Sequence, residues 1–188
     1  TVMIVGLEET PYQDGFFLFK IKYVPTYPFE PPKVTFLTTR GGTVRFHPNF
    51  YKNGKVCLSI LGTWEGPSWS PVFDIRIIML ELQARMCENP LRKEPGHEHS
   101  SDYDNKIYNK IIEHETVRHA IVENIQGSSI FKDEMTSHFK KHYNRIIEKV
   151  NNMNSGTYTS ISIMNTVSWI KKDELKANVQ KLYLRLRE

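Results

Sequence analysis

Cysteine is scarce in this chain of 188 residues, occurring only as Cys57 and Cys87. Two thiols at that separation fit no zinc-ligand spacing and are too few for a disulfide framework, so a reducing, intracellular setting is expected. No apolar run is long enough to cross a membrane as a helix, and the start of the chain lacks a secretory pattern. Glycine-rich phosphate loops of both standard kinds are missing, and so are internal repeats. The net charge of +4 is uneven: residues 1–127 hold 14 basic and 15 acidic side chains, residues 128–188 hold 11 and 6. Aromatic side chains do not interleave with the basic ones, so the surplus reads as solvated helix surface, with neither nucleic acid nor membrane as a partner. What remains is 39% hydrophobic and 12% aromatic, ordinary for a folded domain with a real core. The length suits one domain, or one with an appendage. Thr1 opens directly on strand-like sequence, which reads as a fragment.

Strand patterns come first. Thr1–Leu7 offers Val2, Ile4 and Leu7 to one side, and Pro11 with Asp14-Gly15 supplies a bend. Phe16–Tyr23 alternates, with Phe17, Phe19, Ile21 and Tyr23 opposed to Phe16, Leu18, Lys20 and Lys22. The second set turns polar halfway, so one end of that face should meet solvent. The prolines of Val24–Pro32 forbid a central strand there, and Lys33–Thr38 resumes the pattern. Short connections favour an antiparallel meander.

Helical spacing follows. Asp74 is a good N-cap for Ile75, Ile78, Met79, Leu82 and Met86. Ile77 and Leu80 widen that stripe, predicting burial on more than one face, with Cys87 inside the helix as an inert packing thiol. A second helix is expected from about Asp102 to Ile125, closed by Gly127. Two further stripes, Met135 to Val150 and Leu175 to Leu186, predict a helical tail interrupted at Asn151–Tyr158. Strands before helices indicate an α+β fold, with a core at residues 1–127 and a helical C-terminal extension at 128–188.

The stretch Arg45–Pro71 is too rich in glycine, proline and asparagine for a regular element, yet its aromatics should pack it firmly. Such a loop can hold a thiol in the open with a donor beside it, which makes Cys57 the candidate nucleophile, with Lys55 nearby to favour its thiolate. Asn49 can donate to a developing oxyanion without changing charge, or simply form an Asx turn after Pro48. His47 could pair with Cys57 as in papain-like proteases. Its close spacing and the absence of a protease cysteine signature favour a hydrogen-bonding strut instead.

Taken together, His47-Pro48-Asn49, Asn53-Gly54, Cys57-Leu58-x-Ile60-Leu61 and Trp69-Ser70-Pro71 resemble the signature of ubiquitin-conjugating enzymes. Upstream, Thr10-Pro11-Tyr12, Gly15-Phe16-Phe17 and Tyr27-Pro28-Phe29-Glu30-Pro31-Pro32-Lys33-Val34 look like that family too, over about residues 1–125. Cys57–Trp64, Glu88-Asn89-Pro90, Glu94-Pro95-Gly96 and His114-Glu115-Thr116-Val117-Arg118 point to one branch of it. The resemblance implies a ubiquitin-conjugating (UBC-like) fold whose first helix lies outside this fragment. It also implies a cysteine, Cys57, that takes ubiquitin or a ubiquitin-like modifier as a thioester from an activating enzyme. Transfer to a substrate lysine or a ligase would follow, with Asn49 at the oxyanion or its loop and His47 supporting that loop. Glu94 is the nearest candidate for the acidic residue that assists the incoming lysine, and Phe29 and Pro71 fall where ubiquitin ligases dock. No metal or bound cofactor is implied, because ATP is spent by the activating enzyme, and the compartment implied is cytoplasm and nucleus. Departures are Ser59, where many members have Asp, and Leu91-Arg92-Lys93 in the loop before Glu94. A catalytically silent ubiquitin-binding variant of the fold would lack the cysteine that this chain has, and a Cys–His hydrolase is the remaining alternative.

Overall fold

The structure, a computed structural model, describes residues 1–94, 96–159 and 167–187, so Pro95 of the loop motif lies outside the described residues. Strands β1 (Val2–Val5), β2 (Phe16–Lys22) and β3 (Lys33–Phe36) form the antiparallel meander expected, in the order β1-β2-β3. Val2 stands opposite Phe19, Val5 opposite Phe16, and Phe19 opposite Phe36. Because side chains alternate along a strand, this register sorts the sheet into two apolar faces. Val2, Ile4, Phe17, Phe19, Ile21, Val34 and Phe36 join the main core, whereas Met3, Val5, Phe16 and Leu18 join a second one. Lys20 and Lys22 are exposed, as their polar turn predicts.

Helix α1 (Ile75–Arg85) starts at Asp74, whose side chain accepts from the Arg76 and Ile77 amides. Ile78, Leu82 and Met86 are buried in the main core. The expectation of a helix buried on several faces fails: Leu80 is 59% exposed and Ile77 is exposed too. Cys87 also departs from expectation, lying beyond the helix end and only half-buried.

Helix α2 (Asp102–Glu115) is capped by the Ser101 hydroxyl, which accepts from the Asp104 amide. It runs on through a wider π-helical stretch, Thr116–Glu123, and a last turn, Asn124–Gln126. Gly127 ends it in extended conformation (φ −74°), without the left-handed cap that glycine suits. Helix α3 (Lys132–Asn151) and helix α4 (Lys172–Arg185) realise the two tail stripes.

The tail is not purely helical. An antiparallel pair, β4 (Gly156–Thr159) and β5 (Val167–Ile170), stands between α3 and α4. The Ser168 hydroxyl on β5 donates to Glu115 Oε1 at 2.8 Å, fastening the pair to the end of α2. Met135, Phe139, Ile146, Val150, Leu175, Val179 and Leu182 pack with Phe16 of the sheet and with Val117, Ile121 and Ile125. The tail thus covers the sheet face turned away from the main core.

Candidate active site

The segment after β3 folds back on itself through short local bonds. Phe50 N donates to the His47 carbonyl (2.9 Å) and Gly54 N to the Tyr51 carbonyl (2.9 Å). Gly54 holds φ +87°, and a Cβ there would come 2.9 Å from the Phe36 carbonyl oxygen, so this turn requires glycine. The return strand pairs Val56 with Phe50 and brings the Cys57 amide to the Asn49 carbonyl at 2.9 Å. The two residues that sequence singles out are thereby bonded backbone to backbone.

His47 is fully buried, and its Nδ1 accepts from the Asn49 amide at 2.9 Å. Burial pushes its pKa well below the ordinary value, helped by the nearby positive charges of Arg85 and Arg45, so the ring is neutral at pH 7. A neutral imidazole whose Nδ1 holds a backbone amide works as a strut. The Asn49 side-chain oxygen is buried and makes no hydrogen bond, so the carboxamide oxygen is not consumed in fixing the turn.

Cys57 itself is only 2% exposed, against the expectation of a thiol held in the open. Thr63, which sequence reasoning passed over, clamps both sides of it. Its hydroxyl donates to the Val56 carbonyl (2.8 Å) and accepts from the Leu58 amide (2.9 Å). Downstream, the chain returns so closely over Ser59 that a Cβ on Gly66 would lie 3.0 Å from Ser59 Cβ. A threonine inside a glycine- and tryptophan-rich loop carries no pattern that would have marked it.

Glu94 forms an ion pair with Arg45 at 3.8 Å, both side chains being nearly buried. The Arg45 guanidinium also donates to the Pro48 carbonyl and lies 4.1 Å over the Tyr51 ring. Glu94 is therefore tied to the floor of the His47-Pro48-Asn49 turn.

Phe29 is 79% exposed and Pro71 is exposed as well. Trp69 links their loops: its Nε1 donates to the Pro28 carbonyl at 2.6 Å, and its ring packs 6.1 Å from Tyr27 and 5.7 Å from Phe73. Val72, 84% exposed, widens this apolar surface.

A three-stranded meander followed by a turn that bonds an asparagine to a cysteine, then by a capped helix, defines a class. The family model described as ubiquitin-conjugating enzyme matches residues 1–116, and the chain belongs to that family. Within it, the chain is similar to ubiquitin-conjugating enzyme E2 Z of Xenopus tropicalis, 48% identical over 144 residues, covering 75% of this chain and 45% of that protein. The Homo sapiens protein of the same name is 51% identical over 126 residues, covering 66% and 36%. The dual E2 ubiquitin-conjugating enzyme/E3 ubiquitin-protein ligase BIRC6 of Homo sapiens is 36% identical over 149 residues, covering 73% and 3%. The chain spans less than half the length of these curated relatives.

Proposed function

We propose that this chain carries ubiquitin, or a ubiquitin-like modifier, as a thioester on Cys57 and passes it to a lysine or to a ligase cysteine. The Cys57 thiolate attacks the carbonyl of the activating enzyme's thioester; the new S–C bond forms as the activating enzyme's cysteine leaves as thiolate. A lysine amine then attacks the Cys57 thioester, forms an amide bond and gives up its proton as the Cys57 thiolate departs. A thioester is already activated, so the reaction calls for positioning and charge stabilisation, and ATP is spent by the activating enzyme.

The observation that carries this reading is the bond between the Asn49 carbonyl and the Cys57 amide. It holds the Asn49 backbone beside that of Cys57, and in the proposed reaction the Asn49 carboxamide N–H donates to the tetrahedral oxyanion. His47 holds Asn49 from behind. The same strut geometry disfavours a Cys–His hydrolase, because the imidazole is fully buried, its lowered pKa makes it a weak base, and its Nδ1 is held by the Asn49 amide. Glu94, paired with Arg45 beneath the His47-Pro48-Asn49 turn, buttresses that turn. The Phe29–Pro71–Val72 surface receives the ligase. Because Cys57 is buried, loading requires the side chains around the thiol to move aside. The setting proposed is the cytoplasm and nucleus.

The test is a loading reaction with activating enzyme, ATP and labelled ubiquitin, read without reductant. A reducible adduct that disappears in Cys57→Ala and resists reductant in Cys57→Ser supports the proposal. Failure of the folded protein to form any adduct with any activating enzyme refutes it and favours the silent binding variant.

A further inference from the structure

The outer surface of α3 carries His138 and His142, four residues apart and so on one face of the helix. Across from them lies Asp14, in the turn between β1 and β2, with its side chain almost completely buried and its backbone at φ +67°. His138 Nε2 is 2.9 Å from Asp14 Oδ1, the two imidazole rings are 4.4 Å apart, and the ligating atoms of all three side chains lie within 4.8 Å of one another. Four-coordinate zinc, with bonds of about 2.0–2.1 Å, holds its ligand atoms roughly 3.3 Å apart. Small side-chain rotations suffice to reach that geometry from the one observed.

We infer that Asp14, His138 and His142 form a binding site for a divalent transition-metal ion of the zinc class, with water completing the shell. The donor set is the argument for the metal. Two imidazoles and one carboxylate suit zinc and its neighbours, whereas calcium and magnesium call for a shell of oxygens. The surroundings hold the donors ready. Arg145 donates from Nε to Asp14 Oδ2 (3.0 Å) and from Nη2 to Oδ1 (2.6 Å), fixing the carboxylate plane, and also pairs with Glu8. Arg145 also keeps Asp14 compensated without an ion, so the metal is an added clasp and folding does not wait for it. The residues come from the first turn of the sheet and from the tail helix. An ion there ties the tail to the sheet, and does not take part in the chemistry at Cys57.

The experiment is a zinc titration of the whole chain under a non-chelating reductant, by calorimetry and thermal unfolding, with cobalt as a spectroscopic substitute. Expected are one equivalent of zinc bound, a rise in unfolding midpoint of roughly 5–10 °C at a hundredfold excess of free zinc over Kd, and reversal by chelator. The cobalt form should give a visible spectrum without a thiolate charge-transfer band. His142→Gln, a partly exposed position that need not disturb the fold, should keep the zinc-free midpoint and lose about tenfold or more in affinity. His97→Gln with His99→Gln should change nothing. The inference is overturned if folded wild type binds no zinc, if His142→Gln binds as tightly as wild type, or if the cobalt spectrum reports thiolate ligation.

Discussion

Phe139→Ala tests whether the tail is part of the folded unit or an appendage. Phe139 is fully buried on α3, its ring 6.1 Å from Tyr143 and 6.3 Å from Tyr183, inside the core that includes Phe16 of the sheet. Replacing a buried phenylalanine by alanine costs about 3–5 kcal/mol, from lost transfer energy plus the cavity left behind. At about 2–4 °C per kcal/mol for a chain of this size, the midpoint falls by roughly 6–20 °C. Since Phe16, Leu18, Met3 and Val5 share that core, the loss should propagate to the sheet, and calorimetry should show one transition moving as a whole. Two transitions, with the sheet's unchanged and only the tail's displaced, would refute the reasoning.

Three other substitutions bear on the site. His47 has a depressed pKa in the folded chain, so below its ordinary value of about 6.5 the unfolded chain binds more protons and stability falls with pH, by up to about 1.4 kcal/mol per unit. Stability is complete above that value and is lost as pH falls from it towards the folded pKa; urea melts of His47→Asn should show a shallower decline than wild type over this window. Trp69→Phe removes the bond to the Pro28 carbonyl that joins the Phe29 and Pro71 loops, for about 1 kcal/mol of stability. Ligase binding measured by titration should weaken while loading of Cys57 holds. Glu94→Gln removes the carboxylate facing Arg45 and should lower loading and lysine transfer together, leaving the pH profile of transfer in place. A selective loss of transfer with a shifted profile would make Glu94 the proton acceptor instead.

Local rules made much of this fold legible. The Asp74 cap and the alternation in Phe16–Lys22 each rest on neighbours in sequence, and each appears as read. Ile77 and Leu80 misled because hydrophobicity marks what can be buried, whereas the number of packed neighbours decides what is. The β4–β5 pair escaped because Gly156–Thr159 and Val167–Ile170 are short, and their docking depends on the remote Glu115. At the site, the Asn49–Cys57 backbone bond joins residues eight apart in sequence, a span that one tight local turn closes. The burial of the thiol was not legible, since it depends on how the surrounding chain packs around Cys57. Nor could spacing have revealed the pairing of Glu94 with Arg45, which are remote in sequence.

In the proposed reaction Asn49 serves the chemistry at Cys57 and not merely the shape of the loop. Single-turnover kinetics on Asn49→Ala tests it most directly, measuring loading of Cys57 and discharge of the preformed thioester to free lysine separately. Expected are loading close to wild type and discharge slowed by about a hundredfold or more, as for loss of one oxyanion donor. Equal loss in both steps would contradict it, and would leave Asn49 a structural residue of the turn.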